Sequence, residues 1–244
     1  MGRRARSMPL IRKRTPRTTR VVGLDLAASP KRDTGACVMT GPRRLRAAVL
    51  HSDREVLELV RSARPELVVI DAPLSLPRGR RTIEDRSGPH LRECDRELLR
   101  RRIPFFPLTL GPMRMLTVRG MVLAEELSGL GIPVVEGYPG GAQDLLKWPR
   151  KKVGAEVLQG HMRRAGLGGD LDRRPLTHDE LDAVTIAFVG WNFRKGDGLL
   201  IGDPTEGLML LPDPTRRRVV GRKPGRRVVP RRNSASARGG SRAR

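Results

Sequence analysis

The chain alternates short apolar runs with amphipathic stretches, the pattern of an α/β domain. Val21-Val-Gly-Leu-Asp-Leu-Ala is the first apolar run and carries an acid inside it. Residues 34–40 and 45–51 read as two further strands joined by a turn at Gly41-Pro42. Over residues 53–64, Val56, Leu59, Val60 and Ala63 recur at helical spacing, and Pro65 ends that helix. Glu66-Leu-Val-Val-Ile-Asp71 shows no alternation, so it reads as a strand buried on both faces and stopped by Ala72-Pro73. A long connection over residues 73–131 carries an Arg-rich loop and helices near 90–102 and 114–130. Ile132-Pro-Val-Val-Glu136 is a third apolar run ending in an acid, closed by Gly137-Tyr-Pro139. Helical material at 141–165 and a Gly-rich turn precede a helix over 178–193, whose start has the capping-box spacing Thr177-x-x-Glu180. Leu199-Leu-Ile and Leu208-Met-Leu-Leu suit a closing hairpin around Thr205-Glu-Gly. There is no internal repeat.

Charge divides the 244 residues into a body and two ends. The net charge is +23, yet residues 1–20 hold eight Arg/Lys and residues 216–244 hold twelve, with no acid in either. Residues 21–215 keep 29 basic against 26 acidic groups and are nearly neutral. The expected organisation is a basic disordered tail at 1–20, one domain over 21–212, and a second basic disordered tail at 213–244. Such tails lack the periodic apolar surface that would repay their ordering entropy. They suit salt-sensitive attachment to nucleic acid, or serve only as solubilising extensions.

No apolar run reaches the ~18 residues of a membrane span. Cys37 and Cys94 are too few for a disulfide framework or a four-cysteine zinc site, and point to a reducing cytoplasm. Seven aromatics, none in the tails, argue against a surface that binds single strands by stacking a run of bases.

The acids are the candidate chemistry. Asp25, Asp71 and Glu136 stand at or near the carboxyl ends of apolar strands, the end at which open α/β sheets bind ligands. Strand-end acids also serve as simple caps. Asp182 shares a helix face with Ile186, Val189 and Phe193, while Leu181, Val184, Phe188 and Trp191 make the opposite stripe apolar too. A carboxylate on a helix buried all round needs a partner, most simply an arginine or a metal ion. Asp179 lies one turn earlier and either joins that group or serves the helix dipole. If these carboxylates converge, cations must offset their repulsion, and oxygen-only ligands select Mg²⁺ or Mn²⁺. Arg78, Arg80 and Arg81 follow Asp71 closely and either grip phosphate or form a solvated loop.

Other chemistries have less support. The chain has no G-x-S-x-G elbow, no P-loop and no G-x-G-x-x-G. His51, His90 and His161 lack partners at useful spacing, His178 is a polar residue at a helix start, and Cys94 reads as packing.

The ordered series Val-Gly-Leu-Asp25, Val-Val-Ile-Asp71-Ala-Pro, Arg92-x-Cys-Asp95, Val-Val-Glu136-Gly-Tyr-Pro and His178-Asp-Glu-Leu-Asp182-Ala resembles domain of unknown function 429. That family of predicted nucleases is placed in the RNase H-like superfamily with the RuvC-type resolvases. The resemblance covers roughly residues 20–212. It implies a five-stranded mixed sheet flanked by helices, its first three strands antiparallel and the last two parallel to the first, with a long helical insertion between strands 4 and 5. It also implies catalytic, metal-binding acids at Asp25, Asp71 and Asp182, with Glu136 resembling the family motif. Two departures stand out: Asp25 is followed by Leu-Ala-Ala where the superfamily often has glycines, and a minimal RNase H lacks the 73–131 insertion.

The resulting expectation is a cytoplasmic metal-dependent nuclease acting on DNA or RNA through two hard ions. The alternatives are a non-catalytic nucleic-acid binder on the same fold and a nucleotide or sugar-phosphate enzyme of the actin-like ATPase fold. The last normally needs two such domains and phosphate-binding loops, and this chain has neither.

Overall fold

The computed structural model describes residues 19–29 and 31–215. Most of the two expected tails, residues 1–18 and 216–244, therefore lies outside the described residues.

Seven strands form one sheet in the order β3-β2-β1-β4-β5-β7-β6. They are β1 (Val21–Asp25), β2 (Thr34–Gly41), β3 (Arg44–Leu50), β4 (Leu67–Asp71), β5 (Val134–Gly137), β6 (Leu199–Asp203) and β7 (Gly207–Leu211). β1, β2 and β3 are successively antiparallel, and β4 and β5 run parallel to β1. This is the RNase H-like arrangement the resemblance implies. The count of five needs correction. The closing hairpin β6–β7 does not stand apart, because β7 pairs in parallel with β5 and extends the same sheet to seven strands.

Helices cover both faces. α1 (Asp53–Ala63) and α3 (Gly111–Gly129) lie on one face, where Val56, Val60, Leu123 and Leu127 pack with Val22, Leu24, Val68 and Ile70. α7 (His178–Arg194) crosses the other face, with α4 (Pro139–Leu146) and α5 (Ala155–Arg164) beside it. α2 (Glu93–Arg100), with Cys94 and Leu98, covers the β6–β7 end. The expected faces of α7 are present. Ile186 and Val189 meet Val21, Leu67 and Val69, while Leu181, Val184 and Phe188 pack with Cys37, Met39 and Met162. Its N-terminus closes as the spacing predicts: the Thr177 hydroxyl accepts from the Glu180 amide at 3.2 Å, and the Glu180 carboxylate accepts from the Thr177 amide at 2.9 Å.

α7 sits unusually close to the sheet because two strand positions carry no side chain. A Cβ on Gly23 would lie 2.3 Å from the Ala183 carbonyl oxygen, and one on Gly35 would lie 2.0 Å from that of Asp179. Gly35 is the register partner of Asp25. The close approach therefore brings the start of α7 over the carboxyl end of β1.

One helix was not expected. α6 (Asp170–Arg173) occupies the Gly-rich turn and helps close the sheet edge. The Ala47 amide on edge strand β3 donates to Asp170, and the Ala47 carbonyl accepts from Arg174.

Candidate active site

Alternation along the strands decides where the acids face. Val22, Leu24, Val68 and Ile70 point to the α1/α3 side, so Asp25 and Asp71 fall on the α7 side. The two are register partners on the adjacent parallel strands β1 and β4. α7 adds Asp182 and Asp179 to the same face.

The acids divide between two cavities at this end of the sheet. Asp71 and Asp182 line one of about 340 Å³; Asp25 and Asp179 line a more open one of about 510 Å³, together with Arg32 and Asp33. Among the described residues, no three His, Cys, Asp or Glu side chains are grouped closely enough to hold one ion together. The donor chemistry suits a hard cation, since every candidate ligand is a carboxylate oxygen. The position suits it as well, at the carboxyl ends of β1 and β4. The sequence leaves open whether the carboxylates converge; among the described residues they stand in two groups.

Asp182, only 4 % exposed, has a partner that the sequence did not suggest. Gln143 of α4, itself buried, donates from Nε2 to Asp182 Oδ1 at 2.7 Å and lies 3.3 Å from Thr185 Oγ1. Gln143 thus gives Asp182 a neutral hydrogen-bond donor that helps to orient the carboxylate, a partner different from the arginine or metal ion that the sequence suggested.

Glu136 lines the same cavity as Asp71 and Asp182, but both its oxygens are already engaged by an arginine. Arg92 clamps both its oxygens at 2.5 and 2.8 Å, and the Leu74 amide donates to Oε2 at 3.0 Å. The same guanidinium reaches both oxygens of Asp95, at 2.9 and 3.1 Å. Arg92, Asp95 and Glu136 are each at most 4 % exposed. Burial pushes the Glu136 carboxyl above its ordinary value, with Arg92 pulling the other way. The Arg92 guanidinium, despite burial, is held firmly charged by Glu136 and Asp95. This triad anchors Leu74, three residues after Asp71, and so fixes how the chain leaves the site.

The Arg-rich loop is also largely committed to structure. Buried Arg80 donates to the carbonyls of Pro89 and Asp85 at 2.9 and 2.6 Å, so it wraps its own loop and does not offer itself to phosphate. Arg78 binds Asp203 and Thr205 in the β6–β7 hairpin at 2.7 Å each. Arg81 is exposed, and its amide donates to Asp85.

A further arginine not singled out in the sequence braces the opposite side. Arg119 of α3 holds Asp53 at 2.6 Å and donates to the Ala27 carbonyl at 2.5 Å, tying down the loop that follows Asp25. The histidines stay peripheral: His51 meets Asp33 on the surface, His90 meets Thr109, His161 lies near Trp148, and His178 is exposed. Both cysteines are buried free thiols. Among the described residues no helix is long and apolar enough to cross a membrane.

Two solved structures of RuvC from Thermus thermophilus are similar to this chain, each at 18 % identity. One, in complex with a Holliday junction substrate, has a TM-score of 0.42 and covers 78 % of this chain and 99 % of its own. The other has a TM-score of 0.38 and covers 73 % and 97 %. At these scores neither likeness bears on substrate or mechanism. No curated protein matches the sequence. The family model described as "Protein of unknown function (DUF429)" matches residues 23–206, three quarters of the chain, and the chain belongs to that family.

Proposed function

We propose that the protein is a metal-dependent nuclease that hydrolyses phosphodiester bonds of DNA or RNA. The observation that carries this reading is the pairing of Asp25 with Asp71 at the carboxyl ends of two parallel strands, beneath the helix that bears Asp182. In it, Asp71 and Asp182 in one cavity and Asp25 with Asp179 in the other would hold Mg²⁺ or Mn²⁺. Bound there, such ions supply an activated water and stabilise the leaving oxygen. The chain's own residues prepare the site. Gln143 orients Asp182, Arg119 fixes the loop after Asp25, and the Arg92 triad fixes the loop after Asp71. The arginines of both ends draw in the phosphate backbone from a distance.

A second reading, a non-catalytic nucleic-acid binder, is favoured by the separation of the carboxylates between two cavities. The two readings part in one assay. The purified protein is incubated with Mg²⁺ or Mn²⁺ and single-stranded, duplex, hybrid and branched substrates. Cleavage supports the nuclease; binding without cleavage on every substrate supports the binder.

A further inference from the structure

Aromatic residues are scarce in this chain, yet three of its seven line the cavity that contains Asp71 and Asp182. Phe105 and Phe106 come from the link between α2 and α3, and Tyr138 from the start of α4. The assembly is tied together: the Tyr138 hydroxyl donates to the Pro104 carbonyl, fastening the Phe105–Phe106 segment over the site. The Arg150 guanidinium lies over the Tyr138 ring, 6.0 Å from its centre, and is held there by an ion pair with Asp144. Phe106 is left 70 % exposed, an apolar ring kept at the rim and not folded into the core.

We propose that this cavity receives one unpaired nucleobase next to the bond to be cut. The placement rests on the nuclease reading above; the binding chemistry does not. Flat aromatic walls accept the face of any base, and stacking on them needs no particular sequence. A volume of about 340 Å³ is at the small end for ligand cavities, which suits one base with part of its sugar and excludes a stacked run. The low aromatic count argues against a stacking track along a strand, and it is consistent with a single-base pocket. A base inside a continuous duplex cannot reach such a pocket without leaving its stack. The substrate class is therefore single strands, or duplexes with a bulge, mismatch or branch that already frees a base.

The test uses the full-length chain in metal-free buffer with oligonucleotides carrying 2-aminopurine at one position. The expected result is a change in 2-aminopurine emission on binding a single strand or a bulge, and none in a matched duplex. Phe106→Ala should abolish that change and weaken strand binding by ~5- to 160-fold, the span of one base–aromatic stack, with duplex binding unaltered. Phe106→Trp should restore it. An unchanged emission, or an alanine variant that behaves as the parent, would overturn the pocket while leaving any metal-dependent cleavage to stand. A Phe106-dependent signal without cleavage under any metal would keep the pocket and sink the nuclease. Displacement of the strand by an equal concentration of free nucleoside monophosphate would assign the ring to a small molecule and overturn the proposal.

Discussion

Asp25 and Asp71 face each other across adjacent parallel strands, in register, at the end of the sheet that β1 and β4 share. Neighbouring strands lie only ~4.8 Å apart, so the register brings both carboxyl side chains to one end of one face of the sheet.

The buried triad leads to a stability prediction. Replacing Arg92 by Met would leave Glu136 and Asp95 buried without their cation, and should cost about 3–5 kcal/mol in denaturant unfolding. Replacing Arg92 and Glu136 together by apolar residues should cost less than Arg92→Met alone, because one stranded charge goes with its partner. A double variant less stable than the single one would refute this account of the triad.

Glu180 sets a pH dependence. Its burial would raise its pKa, but Arg174, at 2.5 Å, and the Thr177 amide outweigh that and hold the carboxyl below its ordinary value. A carboxyl lowered in the folded state stabilises the fold above its unfolded pKa, and that stability is lost as the pH falls through the lower folded value. Melting temperature should therefore fall on the acid side of the ordinary glutamate range, near 4.3. In Glu180→Gln that part of the fall should be missing, with lower stability at neutral pH. Parallel pH profiles for parent and variant would contradict the assignment.

The end segments make a separable contribution. A chain of residues 18–214 should keep a cooperative melt, since the sheet from Val21 to Leu211 and the helices over it lie within those limits. It should also show a flatter slope of log affinity against log salt, because twenty basic residues have mostly been removed. An unchanged slope would show that the ends do not touch phosphate.

What the sequence revealed, and what it hid, follows from range. β1, β4 and β5 were legible because each is an apolar run closed by a turn signal, and the start of α7 because Thr177 and Glu180 are three residues apart. Even the contrast between the Ile186 and Phe188 faces follows from helical periodicity. The contacts that tune the site span much longer separations: Arg92 with Glu136 across 44 residues, Gln143 with Asp182 across 39. No local pattern distinguishes those partners from ordinary polar residues. Arg92 did leave a trace in its spacing to Asp95, which reads as a motif but not as one end of a buried ion triad. Arg80 misled for a related reason. Its charge suggested phosphate, while the structure uses it to satisfy loop carbonyls, a role set by backbone geometry. The gathering of Phe105, Phe106 and Tyr138 was invisible to composition, which counts aromatics without locating them.

The central claim is that the acids at the carboxyl ends of β1 and β4 and on α7 perform metal-dependent hydrolysis. The most direct measurement compares Mn²⁺-dependent cleavage of single-stranded and branched DNA and RNA by the parent, Asp71→Asn and Asp182→Asn, with thermal melts and metal-free binding beside it. Each variant should fold and bind nucleic acid like the parent, yet cleave about a thousandfold more slowly, the rate equivalent of roughly 4 kcal/mol of lost charge stabilisation. Cleavage at the parent rate by either folded variant, or a parent protein inert on every substrate with Mn²⁺, would contradict it.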